Sequence, residues 1–299
     1  MAKSRLLCYI PENTNLRIST MIKKISFFCA AFALLFLFTA CEFYTREEQL
    51  SMLRLESYSP QTYKSDLSVQ QLIQAMQRKN DPNKKFMNAK NYILKQKTVS
   101  EIEVERKRTS QEYVTEIKFS KPDNIRWTHS RNGQAFKINI CRSGSVWEID
   151  PLSKKSTKVP EGFGLDLFRT MIALLNPSKT YLDIFQNVTI DKVLEDGTPC
   201  YRLVCQAYNQ DIAPYVIYVN EKTFLTMKVE TIQFKDDGSQ TLYVSVPQEY
   251  TWFGDVLMPR VTTVTLSGQK NISTVLEFMV DTEIPEEEFK EPKRFQIKL

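Results

Sequence analysis

One histidine in 299 residues, His129, leaves this chain poorly equipped for acid–base chemistry at neutral pH. No GxSxG elbow, HExxH pair, GxGxxG turn or phosphate-loop motif occurs anywhere in it. The surroundings of the histidine, "WTHSRNG", offer no strained turn to present a serine, so His129 reads as a surface residue at a strand end. The cysteines contain no CxxC pair and no cluster with ligand spacing, which argues against a structural zinc site, and no metal or other cofactor is expected. Basic residues form no stripe interleaved with aromatics, so nucleic acid is not an expected partner. Together these absences argue against an enzyme.

What is present begins with "ISFFCAAFALLFLFTACEF", residues 25–43. The run Ile25–Ala40 carries no charge, follows Lys23 and Lys24, and is shorter than the roughly 20 apolar residues of a spanning helix. Its ending "LFTAC" resembles the lipobox of bacterial lipoproteins. In that family the cysteine thiol takes a diacylglyceryl group and the leader is cut just before it, which makes Cys41 the expected lipid attachment site and first mature residue. The alternative is an uncleaved anchor helix with an incidental cysteine; either way the remainder faces away from the cytoplasm. "MIKK" reads as the start of the signal, so residues 1–20 are expected to be a start artefact, 21–40 the signal peptide and 41–64 the acylated cysteine with a polar tether.

Removing the leader changes the charge. The whole chain has 40 basic and 35 acidic side chains, net +5. Residues 1–40 hold five of the former (Lys3, Arg5, Arg17, Lys23, Lys24) and one of the latter (Glu12), so the mature part is close to neutral. Of six cysteines, Cys141, Cys200 and Cys205 remain beyond Cys41. Cys200 and Cys205 are five apart, so on a strand they face opposite ways and cannot pair locally.

Residues 65–299 read as one domain. Ser65 or Ser68 can cap a helix in which Val69, Leu72, Ile73 and Met76 form an apolar stripe, ended by "NDPN" at 80–83. From about Asn91 the apolar period becomes two, with turn signals such as "RNGQ", "RSGS", "EDGT" and "DDGS" between segments. This predicts an α+β fold: an antiparallel sheet of nine to eleven strands in one long meander, too wide to stay flat and so strongly curved into a half-open barrel. Residues 164–186 return to helical period, with Leu165, Phe168, Arg169, Ile172 and Leu175 on one side and Asn176-Pro177 as a break. A helix so apolar needs cover, and the concave opening of the sheet can supply it.

The run Phe119–Val159, with Lys121-Pro122, Ile125-Arg126-Trp127 and "SGSVWEIDP", is similar to the signature region of bacterial lipoprotein carriers of the LolA and LolB type. "YVNEKTFLTMKVE" and "DTEIPEEEF" resemble that family's later hairpin and ending. The resemblance spans roughly residues 65–290. It implies helices closing a curved sheet over an apolar cavity that holds acyl chains, with acyl lipid or a lipoprotein as partner, the membrane contacted through the lipid anchor, and a periplasmic carrier or envelope protein as a further partner. Residues placed on the cavity are Ile125, Trp127, Phe136, Ile138, Trp147, Phe168, Met171, Leu174, Leu175, Tyr218 and Phe278; ordinary core packing is the competing reading of each. Lys121 falls on the family's functional arginine, which helps latch the lid, though lysine lacks the planar fork of donors. The lipobox favours the anchored acceptor type, facing the periplasm from the outer membrane, with a role in lipoprotein sorting or transport. The alternative is an envelope stress sensor or interaction module of the same fold.

Overall fold

A computed structural model describes residues 45–55, 64–104, 107–234, 240–266 and 268–290; the leader, Cys41 and the "DDGS" turn lie outside the described residues. Thirteen strands form a single curved antiparallel sheet, more than the nine to eleven expected. The additional strands have weak patterns. Strand β6 (Lys155–Lys158) is polar and exposed throughout. In β7 (Asn187–Glu195) the alternation breaks where Lys192 lies over the ring of Tyr201, 5.2 Å from its centroid.

The sheet is two meanders, where one was expected. Strands β1 (Asn91–Val104), β2 (Lys107–Ser120), β3 (Asn124–Arg131), β4 (Gln134–Arg142), β5 (Ser145–Asp150) and β6 run outward to one edge. The chain then crosses to the opposite edge and returns through β7, β8 (Thr198–Gln206), β9 (Tyr215–Asn220), β10 (Thr226–Phe234), β11 (Gln240–Phe253), β12 (Val256–Leu266) and β13 (Gln269–Val280). Strand β13 closes against β1, so the seam lies mid-sheet. Local turn chemistry fixes each hairpin but not which strands meet at the seam. In the Asn132-Gly133 and Ser143-Gly144 turns both residues have positive φ, the type I′ geometry whose twist suits two-residue hairpins.

The crossover from β6 to β7 has to span the full width of the sheet, and it carries α4 (Phe163–Leu175) and α5 (Tyr181–Ile184). Leu165, Leu167, Phe168, Met171, Ile172 and Leu175 of α4 are buried in the main core, on the face here called inner. Arg169, expected on the apolar side, is exposed and bridges to Glu161 and Asp166. Helix α2 (Val69–Asn80) is capped by Ser68 in a capping box and adds Leu72 and Met76 to the same core. A short α3 (Lys85–Asn88) follows.

The outer face has its own coverings. Helix α1 (Arg46–Met52), in the segment expected to be tether, is capped by Thr45 and docks Leu53 against Val216, Tyr218 and Ile232. Arg54 reaches Glu230 at 3.0 Å beside it. At the other end of the sheet a 3₁₀ turn, Glu286–Phe289, is held by Lys118 and Arg126 on Glu288 and by Arg142 on Glu286 at 2.6 Å.

Candidate functional site

Antiparallel register decides which side chains share a face, because directly opposed residues point the same way. Across five strands, Tyr92 opposes Phe119, Phe119 opposes Ile125, Ile125 opposes Cys141, and Cys141 opposes Val146. All five are 4% exposed or less. One step along, Phe278, Leu94, Ile117 and Trp127 form a second row on the inner face. The opposite wing contributes Leu203, Ile217 and Val219 to the same core. Helix α4 lies over these rows.

Seven of the eleven residues placed on the cavity by the sequence meet in this one cluster: Ile125, Trp127, Phe168, Met171 and Leu175 fully buried, Leu174 and Phe278 packed against them. Phe136 is also on the inner face, at its far end, with ring contacts of 6.5 Å to Tyr113 and 6.0 Å to His129. Three others are elsewhere. A register shift between His129 and Ser130 makes Phe136 and Lys137 both oppose the β3 strand locally, so Ile138, two residues on, falls opposite Thr128 on the outer face. Trp147 opposes Ile140 and lies outside as well, under Lys158. Tyr218 alternates with Ile217 and Val219, so it packs beneath α1 and donates to Glu230 at 3.1 Å.

His129 is not a surface residue. It is 8% exposed and within 3.0 Å of the Thr115 hydroxyl through Nδ1. Burial, with Lys137 nearby, pushes its pKa down to about 3, so it is neutral at physiological pH. No group of His, Cys, Asp and Glu among the described residues could hold a metal. Cys205 is on the inner face and Cys200 on the outer, as their spacing requires, and both are free, as is Cys141.

The polar contacts that hold α4 in place come from residues the sequence did not single out. The Tyr92 hydroxyl, 1% exposed, donates to the carbonyl of Leu175 at 2.8 Å, satisfying an orphan acceptor at the helix end. Asn176 Nδ2 donates to the Pro122 carbonyl at 2.8 Å and to Asp123 Oδ1 at 2.9 Å, while its Oδ1 accepts from the Ser178 amide. Asn176 therefore does more than break the helix. It ties the end of α4 to the β2–β3 turn. At the other end Asn209 Nδ2 reaches Asp166 at 3.1 Å. Lys121 lies in that turn, but its ammonium approaches the carbonyls of Met87 and Asn88 in α3 at 3.5 Å each, and α4 is held without it.

No protein-family model matches the chain. No curated protein matches it in sequence either. Its fold, however, is shared with solved structures. A LolA superfamily protein from Nitrosomonas europaea is 10% identical with a TM-score of 0.51, the match covering 75% of this chain and 98% of that one. A domain described as outer membrane lipoprotein-sorting, from Vibrio parahaemolyticus, is 11% identical with a TM-score of 0.48, over 73% and 94% of the two chains. The fold is LolA-like: an open, curved antiparallel sheet with few helices.

Proposed function

We propose that this chain is a membrane-anchored protein that binds acyl lipid or the acyl chains of a lipoprotein between its inner face and α4, in the sorting or transport of outer-membrane lipoproteins. The observation that carries this reading is the placement of α4. An apolar helix, carried by the crossover that joins the two edge strands, lies over an apolar face, and localised polar contacts at its ends hold it there.

The magnitudes are compatible with exchange. Six buried apolar side chains of α4 represent about 9–18 kcal/mol of gross burial, at roughly 1.5–3 kcal/mol each. A C16 acyl chain leaving water gains about 0.8 kcal/mol per methylene, or about 12 kcal/mol. The two are of one size, so a chain can take the place of the α4 face with little net change. No catalytic group is needed for that. Anchoring rests on Cys41, four positions before the N-cap Thr45; that stretch is at most about 14 Å when extended. A lipid there holds the α1-covered outer face towards the membrane and turns α4 away from it.

Native mass spectrometry after gentle purification tests the binding. Co-purifying acyl lipid, or lipoprotein that can be transferred to the protein, is expected. A protein recovered without lipid but with a stable protein partner would replace this reading with the sensor one. Cys41→Ala tests the anchor by cell fractionation, and a variant that stays in the membrane after normal leader cleavage would remove it.

A further inference from the structure

The inner face is not apolar along its whole length. Two residues beyond the acyl rows, on the same face of the same strands, the side chains change in kind. Leu94 gives way to Gln96 and Thr98, Ile117 is preceded by Thr115, and Trp127 is followed by His129. Register joins them into one tract: Ser273 opposes Thr98, Gln96 opposes Thr115, and Thr115 opposes His129. Asn139, opposite Trp127, lies at its border. All six are at most 8% exposed.

Two polar atoms in this tract have no hydrogen-bond partner. They are Nε2 of Gln96, whose Oε1 accepts from Ser273 at 3.4 Å, and Oδ1 of Asn139. Buried polar groups are as a rule satisfied, and each one left open costs stability, so two in one tract beside an apolar site mark a place for a polar group that arrives from outside. One is a donor and the other an acceptor, which suits hydroxyls or amides. Lys137 is paired with Glu148 at 3.1 Å; Arg131, one step further along, has no acidic partner among the described residues, donating to the neutral Gln111 at 2.9 Å and lying over the ring of Phe136 with its Nε unpartnered. His129 is neutral. At the level of Gln96 and Asn139 a carboxylate or phosphate would meet no cation without an acidic partner; the one such charge among these groups, Arg131, is two residues beyond His129, about 7 Å further along the face.

We infer that this tract is a head-group compartment for an amphiphile with an uncharged, hydroxyl- or amide-bearing head, lying about 7 Å beyond the acyl rows on the same face, at two residues' rise along a strand. The inference rests on the acyl-binding reading and specifies its ligand. A neutral glyceryl head and the amide of an acylated amino terminus share this chemistry.

Displacement of Nile red from the folded mature protein by 1-monopalmitoylglycerol, methyl palmitate and palmitate tests it. The wild type is expected to bind the monoacylglycerol at least tenfold more tightly than the methyl ester, which has the same chain without hydroxyls. In Gln96→Leu/Asn139→Leu the gap is expected to shrink below threefold with methyl palmitate binding retained. Equal affinities in the wild type, a gap that survives in the variant, or palmitate as the tightest ligand would each overturn the compartment while leaving acyl binding intact. The wild-type comparison decides even if the variant does not fold. Failure of all three to displace the dye would instead overturn acyl binding, and the compartment with it.

Discussion

Asn176→Ala is the sharpest test of α4 as a movable cover. The side chain is 6% exposed and donates to a neutral carbonyl at 2.8 Å and to a carboxylate at 2.9 Å. A hydrogen bond between neutral groups contributes about 0.5–1.5 kcal/mol net and one to a charged group about 1.5–3, so losing both should cost about 2–4 kcal/mol. If that cost falls on the closed position of α4 alone, the open population rises about 30- to 900-fold, at 1.36 kcal/mol per factor of ten. Hydrogen exchange read by mass spectrometry separates local from global effects. Peptides covering residues 163–175 should exchange faster by a factor in that range, and those covering Ile117–Trp127 should not change. Nile red should also bind with a faster on-rate. Tyr92→Phe, which removes only the 2.8 Å bond to Leu175, should act in the same direction by about fivefold, for roughly 1 kcal/mol. An α4 that keeps its protection in Asn176→Ala, or a variant in which every peptide accelerates together, would refute a cover that opens on its own.

Other outcomes follow from the same geometry. His129 is buried neutral with its pKa lowered from 6.5 to about 3, so the unfolded chain takes up a proton between those values that the folded one refuses. Stability is therefore expected to fall as pH drops below about 6.5, by about 1.4 kcal/mol per unit. Urea midpoints at pH 6.5 and 5 should show about 2 kcal/mol more loss in the wild type than in His129→Gln, and parallel curves would refute this. Trp127→Ala, at 2% exposure in the main core, should cost about 3–5 kcal/mol and weaken acyl-probe binding. Trp147→Ala, on the outer face, should leave probe binding unchanged, and an equal effect of the two would mean the faces are wrongly assigned. Leu53→Ala should cost about 2–5 kcal/mol and free α1 from the sheet, read as loss of exchange protection in residues 46–53. Protection retained there would show that α1 is held by something other than this contact.

The period of the apolar residues determined a great deal. Alternation along β1–β4 and β8–β13 specifies strands with one greasy side, and the Asn-Gly and Ser-Gly pairs specify tight hairpins, because both are local properties of backbone and side chain. The same holds for α2 with its Ser68 cap, for the break at Asn176, and for the opposite faces of Cys200 and Cys205. A period, however, says that a side is buried without saying which side of the finished sheet it is. Ile138, Trp147 and Tyr218 are apolar and alternate correctly, yet a register shift in β4 and the docking of α1 and the 3₁₀ turn put them outside. His129 looked like a polar strand end until Thr115 and Phe136 were folded against it. Pairing of β13 with β1, the crossover that carries α4 between the two edge strands, and the grip of Tyr92 and Asn176 on the helix end join residues 50 to nearly 190 positions apart. Contacts over such separations leave no mark in a short window of sequence, so the strands could be read from the chain while the inner face existed only once the sheet had closed.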